Sequence, residues 1–164
     1  MQQDIKLLIL DIDGTIAGKS NTISPRVKQA IAATQAKGIQ VAIATGRMYR
    51  SALRFHQQIN SQLPLIAYQG AWIQDPNTGK IHQHLPVKLE IARELLDFFE
   101  KPQWQWDLPL SVHFYINDEL YVRKITQETQ AYSDHDEGVR LIALISLPLL
   151  WETYAKQLKN PQKF

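Results

Sequence analysis

Three observations predict an α/β fold. A short apolar run, Ile5 to Leu10, ends in two acids one residue apart, Asp11 and Asp13. A helix-period stretch and a second apolar run follow, at the spacing of a strand–helix–strand crossover. Beyond residue 84 the pattern changes to one apolar helix followed by alternating strands. The first two describe a parallel sheet that presents polar residues at the carboxyl ends of its strands, and the third a separate α+β module. The chain is accordingly divided at 1–84 and 85–164.

Composition narrows the function. The 164 residues, 45% hydrophobic and 21% charged, are enough for one domain or one with a small appendage. Eighteen basic residues against 16 acidic leave a net charge of +2, too balanced to predict a nucleic-acid partner or an anionic membrane. With no cysteine, disulfides, thiol nucleophiles and thiolate metal sites are excluded, which fits a cytoplasmic setting. Lys6 interrupts the first apolar run and Asp11 ends it, so no signal peptide is expected. The uncharged stretch Leu141 to Trp151 carries Pro148 and is too short to span a bilayer.

The two acids are the first candidate chemical groups along the chain. If the strand continues through them, Asp11 and Asp13 share one face and Ile12 points to the other. Two ionised carboxylates so placed repel, a cost tolerated where a cation or developing charge offsets it. Gly14 allows a sharp exit and Thr15 offers a hydroxyl. An Asx turn is the plain alternative. A calcium loop needs further oxygen ligands and a late Glu, where Ile16, Ala17, Gly18 and Lys19 stand.

Residues 16 to 22 read as a small polar loop over the carboxylates. Ser24-Pro25 supplies an N-cap and first helical residue, Val27, Ala30, Ile31 and Thr34 one face, and Gly38 the stop. Ile39 to Ala44 is a second strand, buried on both faces. A right-handed crossover makes it parallel to the first, so Asp11 and Thr45 emerge at one edge of the sheet. Thr45-Gly46-Arg47 then opens a helix marked by Met48, Ala52, Phe55 and Ile59, an anion site made of a hydroxyl, backbone N–H groups and a guanidinium. The competing reading is a simple Thr cap with Arg47, Arg50 and Arg54 on a solvated face.

Leu65 to Tyr68 is a third strand, ending in Gln69-Gly70-Ala71. Trp72 to Gln74 and Lys80 to His82 flank the turn residues Asp75 to Gly79 as a hairpin. His82 and His84 lack a third ligand nearby and read as surface residues. In the second module Leu89, Ala92, Leu95, Leu96 and Phe99 form a helical stripe stopped at Lys101-Pro102. Ser111 to Ile116 and Leu120 to Lys124 form a hairpin about Asn117-Asp118, and Thr126 to Asp136 is a polar helix. Val139 to Leu147 is strand-like, and Pro148 to Leu158 a helix with Leu150, Trp151, Tyr154 and Leu158 on one face.

These features together resemble the haloacid dehalogenase (HAD) superfamily of phosphohydrolases. Its first motif stands as Asp11-Ile12-Asp13-Gly14-Thr15 and its second as Thr45 within Ala44-Thr45-Gly46-Arg47. The Thr-Gly-Arg form, Tyr68-Gln69-Gly70-Ala71 and the later helix-and-hairpin module resemble the Cof-type subfamily, whose cap follows the third strand; that subfamily usually has Asn where Gln69 stands. The resemblance implies a Rossmann-like core and an α+β cap. It implies Asp11 as nucleophile through an aspartyl-phosphate, Asp13 as general acid and base, and Mg²⁺ at Asp11 and the Asp13 carbonyl. Thr45, with Gly46 and Arg47, would hold the phosphoryl oxygens.

Two further family motifs, a Lys and a later Asp pair, have no convincing match. Lys124 with Asp134-His135-Asp136 copies their order but lacks an apolar strand to carry the acids to the active edge. The chain is therefore expected to stop inside the cap, at least one βαβ unit of roughly thirty residues short. The function expected is Mg²⁺-dependent hydrolysis of a small phosphorylated metabolite, sugar phosphates favoured. The rival is a catalytically impaired remnant that folds or associates without turnover. An uncovered edge beside Ile5 to Leu10 would favour self-association unless the run from Val139 docks there.

Overall fold

The first apolar run becomes strand β1, Leu7–Leu10, which pairs in parallel with β2, Gln40–Ile43, in the register Leu7 to Gln40 through Leu10 to Ile43. The computed structural model describes residues 4–100, 111–135, 139–143 and 147–159, in two compact units, Met1–Leu85 and Pro86–Phe164. Between the two strands runs α1, Pro25–Ala36, where the Ser24 hydroxyl accepts from the Val27 N–H at 3.3 Å and Pro25 fills a position needing no donor. Gly38, at φ +79°, turns the chain back toward β2.

Helix α2, Tyr49–Gln58, carries the chain to β3, Leu65–Ala67, whose Ile66 bridges in parallel to Ala44 beyond β2. A single 3₁₀ turn at Tyr68–Gly70 reverses it into β4, Trp72–Gln74, and β5, Ile81–His84, both antiparallel. The Asp75 carboxylate accepts from the Asn77 N–H and the Thr78 hydroxyl, both at 2.8 Å, as an Asx turn requires. His82 is exposed, and His84 packs edge-on against Trp72, burial pushing its pKa below the ordinary value.

Successive right-handed crossovers put α1 and α2 on the same side of the sheet. Ile31, Ala52, Phe55 and Ile59 of the helices therefore join Val41, Ile43 and Leu65 in one buried cluster, with Leu8 and Leu10 packed against it. Alternation sends Leu7 and Ile9 to the opposite face, where they are 46% and 51% exposed.

The second unit contains α3, Leu89–Phe99, the hairpin of β6, His113–Ile116, and β7, Glu119–Val122, then α4, Gln127–His135, β8, Leu141–Ala143, and α5, Leu147–Lys159. Asn117 and Asp118 both adopt φ +56°, the left-handed pair that a two-residue hairpin turn demands. Ala92, Ile116, Leu150 and Tyr154 form the core, with Trp151 and Leu158 packed against it.

Two expectations are corrected here. The run after Val139 does not substitute for a missing neighbour of β1: β8 pairs in parallel with β7, Leu120 opposite Leu141, because α4 supplies a crossover inside the second unit. Leu95, placed in the apolar stripe of α3, is 48% exposed; the buried side is Ala92 and Leu96. The stop at Lys101-Pro102, and Asp136, lie outside the described residues. No helix among the described residues is long and apolar enough to cross a membrane.

Candidate active site

Strand β1 ends at Leu10, before either acid, so the two carboxylates do not share a strand face. The chain instead turns around Ile12, which is fully buried and whose carbonyl accepts from the N–H groups of Thr15, Ile16 and Ala17 at 3.3, 3.1 and 2.9 Å. One apolar side chain driven into the core thus pins the turn and leaves Asp11 and Asp13 exposed on either side of it. Gly14 takes φ +74°, a conformation costly for other residues.

Asp11 and Thr45 do emerge together. The Leu10 carbonyl accepts from the Ala44 N–H at 3.0 Å, and Asp11 and Thr45 are the residues that directly follow these two. Thr45 is buried, its N–H donating to Ile66 at 3.0 Å and its carbonyl accepting from Gln69 at 3.1 Å, so three strand ends converge. Thr45 does not cap α2. Its hydroxyl accepts from the Arg47 N–H at 3.2 Å, a local turn, and the helix begins at Tyr49 after a Met48 cap that makes no side-chain bond.

Arg47 is buried and spans the site. Its Nε donates to Asp13 Oδ2 at 2.8 Å and its Nη2 to Asp13 Oδ1 at 2.5 Å, a bidentate fork, while Nη2 also donates to Asn21 Oδ1 at 2.8 Å. The guanidinium lies 5.0 Å from the Phe55 ring centre, with Arg54 4.4 Å from the same ring. Arg54 donates in turn to the Asn21 carbonyl at 3.2 Å. The arginine that the sequence assigns to an anion site is thus on the second carboxylate. Asn21 was missed, although an Asn in a small polar loop, tolerant of the φ +54° found here, is a signal that could have marked it.

Tyr68 and Gln69 hold φ +51° and +56°, uncommon for non-glycine residues and a feature of functional turns. Gln69 lies over Gly46: a Cβ there would stand 2.5 Å from Gln69 Nε2 and 3.2 Å from its Cδ. Because the obstacle is the tip of a flexible side chain, Gly46→Ala is expected to displace the carboxamide and change stability by no more than about 0.5 kcal/mol. Thermal unfolding of Gly46→Ala with and without Gln69→Ala checks this; a loss confined to the variant that keeps Gln69 would show that the amide cannot move.

Magnesium takes an octahedron of oxygens, commonly one or two carboxylates completed by phosphate and water. Asp11 offers an exposed carboxylate, and with the Asp13 side chain on Arg47 the second protein oxygen would be the Asp13 carbonyl. No group of three or more metal-ligating side chains stands together among the described residues. The donor set fits a partial shell.

The family model for haloacid dehalogenase-like hydrolases matches residues 8–146. Two relatives from Bacillus subtilis are named 5-amino-6-(5-phospho-D-ribitylamino)uracil phosphatases. YitU is 35% identical over 97 residues, 57% of this chain and 35% of its own length, and YcsE is 32% identical over 82 residues, 50% and 33%. A crystal structure of a haloacid dehalogenase-like hydrolase from Bacteroides thetaiotaomicron superposes with a TM-score of 0.74 at 17% identity, over 89% of this chain and 54% of that one. The chain spans about a third of the length of these curated relatives.

Proposed function

Because this chain belongs to the haloacid dehalogenase-like hydrolases, we propose that its strand-end cluster is part of a phosphomonoester hydrolase site working through Asp11. A carboxylate oxygen of Asp11 attacks phosphorus, the bond from phosphorus to the leaving oxygen breaks, and a proton from Asp13 passes to that oxygen. Water then attacks the aspartyl-phosphate and gives its proton to Asp13, so phosphate leaves and the Asp11 carboxylate is restored. The Thr45 hydroxyl and the Gly46 N–H would hold phosphoryl oxygens. Mg²⁺, held by Asp11 and the Asp13 carbonyl, would supply neutralising charge to the phosphoryl group. In this reading Arg47 fixes the orientation of Asp13, and turnover requires one Asp13 oxygen to leave the fork.

The observation that carries the reading is the placing of Asp11 and Thr45 at neighbouring strand ends beside a carboxylate gripped by a buried guanidinium. A small phosphorylated metabolite with a sugar or polyol part is the proposed substrate class, which the phospho-D-ribityl group in the names of YitU and YcsE supports. A second reading, a chain that binds without efficient turnover, is favoured by the partial metal shell. Lys124 and Asp134, the weak matches for later motifs, belong to the second unit, after β7 and within α4.

The test is the rate on an aryl phosphate with and without Mg²⁺, alongside calorimetry of Mg²⁺ binding, for the chain and for Asp11→Asn. Weak Mg²⁺ binding and slow Mg²⁺-dependent turnover, both lost in the variant, are expected. A rate that survives the substitution would remove Asp11 from the mechanism, and binding without any rate would favour the second reading. A robust rate abolished by Asp11→Asn would instead overturn the idea of an impaired chain.

A further inference from the structure

We infer that Asn21 is a positioning residue, the latch through which the loop over the active edge holds Arg47 on Asp13. The inference rests on the role proposed for Asp13, but its geometry is independent of turnover. One atom, Arg47 Nη2, donates both to Asp13 Oδ1 at 2.5 Å and to Asn21 Oδ1 at 2.8 Å, one N–H to each, so the loop and the acid together orient the same guanidinium nitrogen. The main chain at Asn21 is held separately, its carbonyl accepting from Arg54 at 3.2 Å and its N–H donating to Gly18 at 2.9 Å. Ala17 and Ile23, both buried, bridge across the base of the loop. Two arginines of one helix region, both against the Phe55 ring, thus reach two oxygens of a single loop residue.

The consequence is coupling. With Asn21 seated, Arg47 has acceptors on both sides of Nη2 and its fork to Asp13 is fixed in direction. When the loop lifts, the guanidinium loses one acceptor and gains freedom to rotate, and with it the Asp13 carboxylate can release an oxygen toward a leaving group. Loop position and acid orientation are then one equilibrium, of the kind by which a small displacement assembles a site. Because Asn21 sits at φ +54°, a glycine there keeps the backbone conformation and deletes the carboxamide alone.

The experiment reads the guanidinium by NMR. In the full chain the Arg47 Nε–H, donating to Asp13 at 2.8 Å, should give a resonance protected from solvent exchange, identified by its disappearance in Arg47→Lys. In Asn21→Gly its protection should fall by about tenfold, the scale of one charge-assisted hydrogen bond. Asn21→Asp, which restores an acceptor at the same place, should recover most of it. The amide protection of Val41 to Ile43 in β2 reports that each variant is folded. Protection of Nε–H unchanged within about twofold in Asn21→Gly, with β2 intact, would overturn the latch, since a bond of this type is worth more. An equal loss in Asn21→Asp would overturn it too, showing that the loop backbone and not the acceptor matters. Because neither arm measures hydrolysis, an inactive chain leaves the result decisive, and failure of the hydrolase reading is seen separately in the Asp11→Asn rate.

Discussion

Replacing Phe55 by alanine is expected to destabilise the first unit by about 3–5 kcal/mol, the usual cost of emptying a fully buried aromatic site. Phe55 has no exposed surface, and it joins the cluster in which Ile31 of α1 meets Val41 and Ile43 of β2 and Leu65 of β3. A small domain has only about 5–15 kcal/mol to lose. The ring also receives the guanidinium of Arg47 at 5.0 Å and that of Arg54 at 4.4 Å, so its removal frees the group that orients Asp13 as well as opening a cavity. Phe55→Leu, which refills much of the volume but offers no aromatic face, separates the two effects. It should cost markedly less stability than Phe55→Ala while still loosening the Arg47 fork. Urea titration gives the first quantity, and exchange of the Arg47 Nε–H the second. A loss for Phe55→Ala below about 1.5 kcal/mol would show that the neighbouring side chains collapse into the space, outside the range seen for buried aromatics.

The parts of the fold that were legible in the sequence are those fixed by local pattern. Ser24-Pro25 and Gly38 bracket α1, Asn117-Asp118 makes a tight turn, and the crossover spacing brings Asp11 and Thr45 to one edge. What was not legible depends on contacts far apart in the chain. The Asp13–Arg47 fork joins residues 34 apart, and a sequence offers no period or spacing by which to read it. Arg47 looked equally suited to an anion, because a guanidinium recognises a carboxylate and a phosphate by the same geometry. The end of β1 at Leu10 was obscured for a different reason. An apolar residue between two acids suits both an alternating strand and a turn with its apolar residue buried, and Ile12 is the second case. The pairing of β8 was misplaced because a short apolar run says that it needs a neighbour but not which one. Loop-closure entropy favours the near strand β7, reached through α4, over a partner more than a hundred residues away.

The exposed face of β1 carries the last expectation: we propose that the chain associates with a second copy of itself through that strand, and that two charges on it abolish the association. Leu7 and Ile9 are 46% and 51% exposed, and Ile5 just before them 68%. Among the described residues β2 is the only strand paired with β1, which makes β1 an edge as well as an open face. Strand β1 itself carries no charge or proline, and only Lys6 just before it blunts the edge; an apolar edge strand is a template for pairing with another chain. Leu7 and Ile9 are already half buried, so covering the rest of the pair on both copies is worth about 3–6 kcal/mol, against a cost of association of about 4–15 kcal/mol. The complex should therefore be weak and concentration-dependent. Light scattering on the eluting peak of a size-exclusion column should show an apparent mass that rises with loading concentration, and Leu7→Lys with Ile9→Lys should hold it at the monomer value. Since both side chains already face solvent, the double variant should keep the unfolding midpoint of the parent in dilute solution. Shortening the chain before β8 is a poorer test, because β8 and α5 complete the sheet and core of the second unit and their loss would expose new surface there. A parent chain that stays monomeric at every concentration, or an association that the lysines leave untouched, would show that this face is not where copies meet.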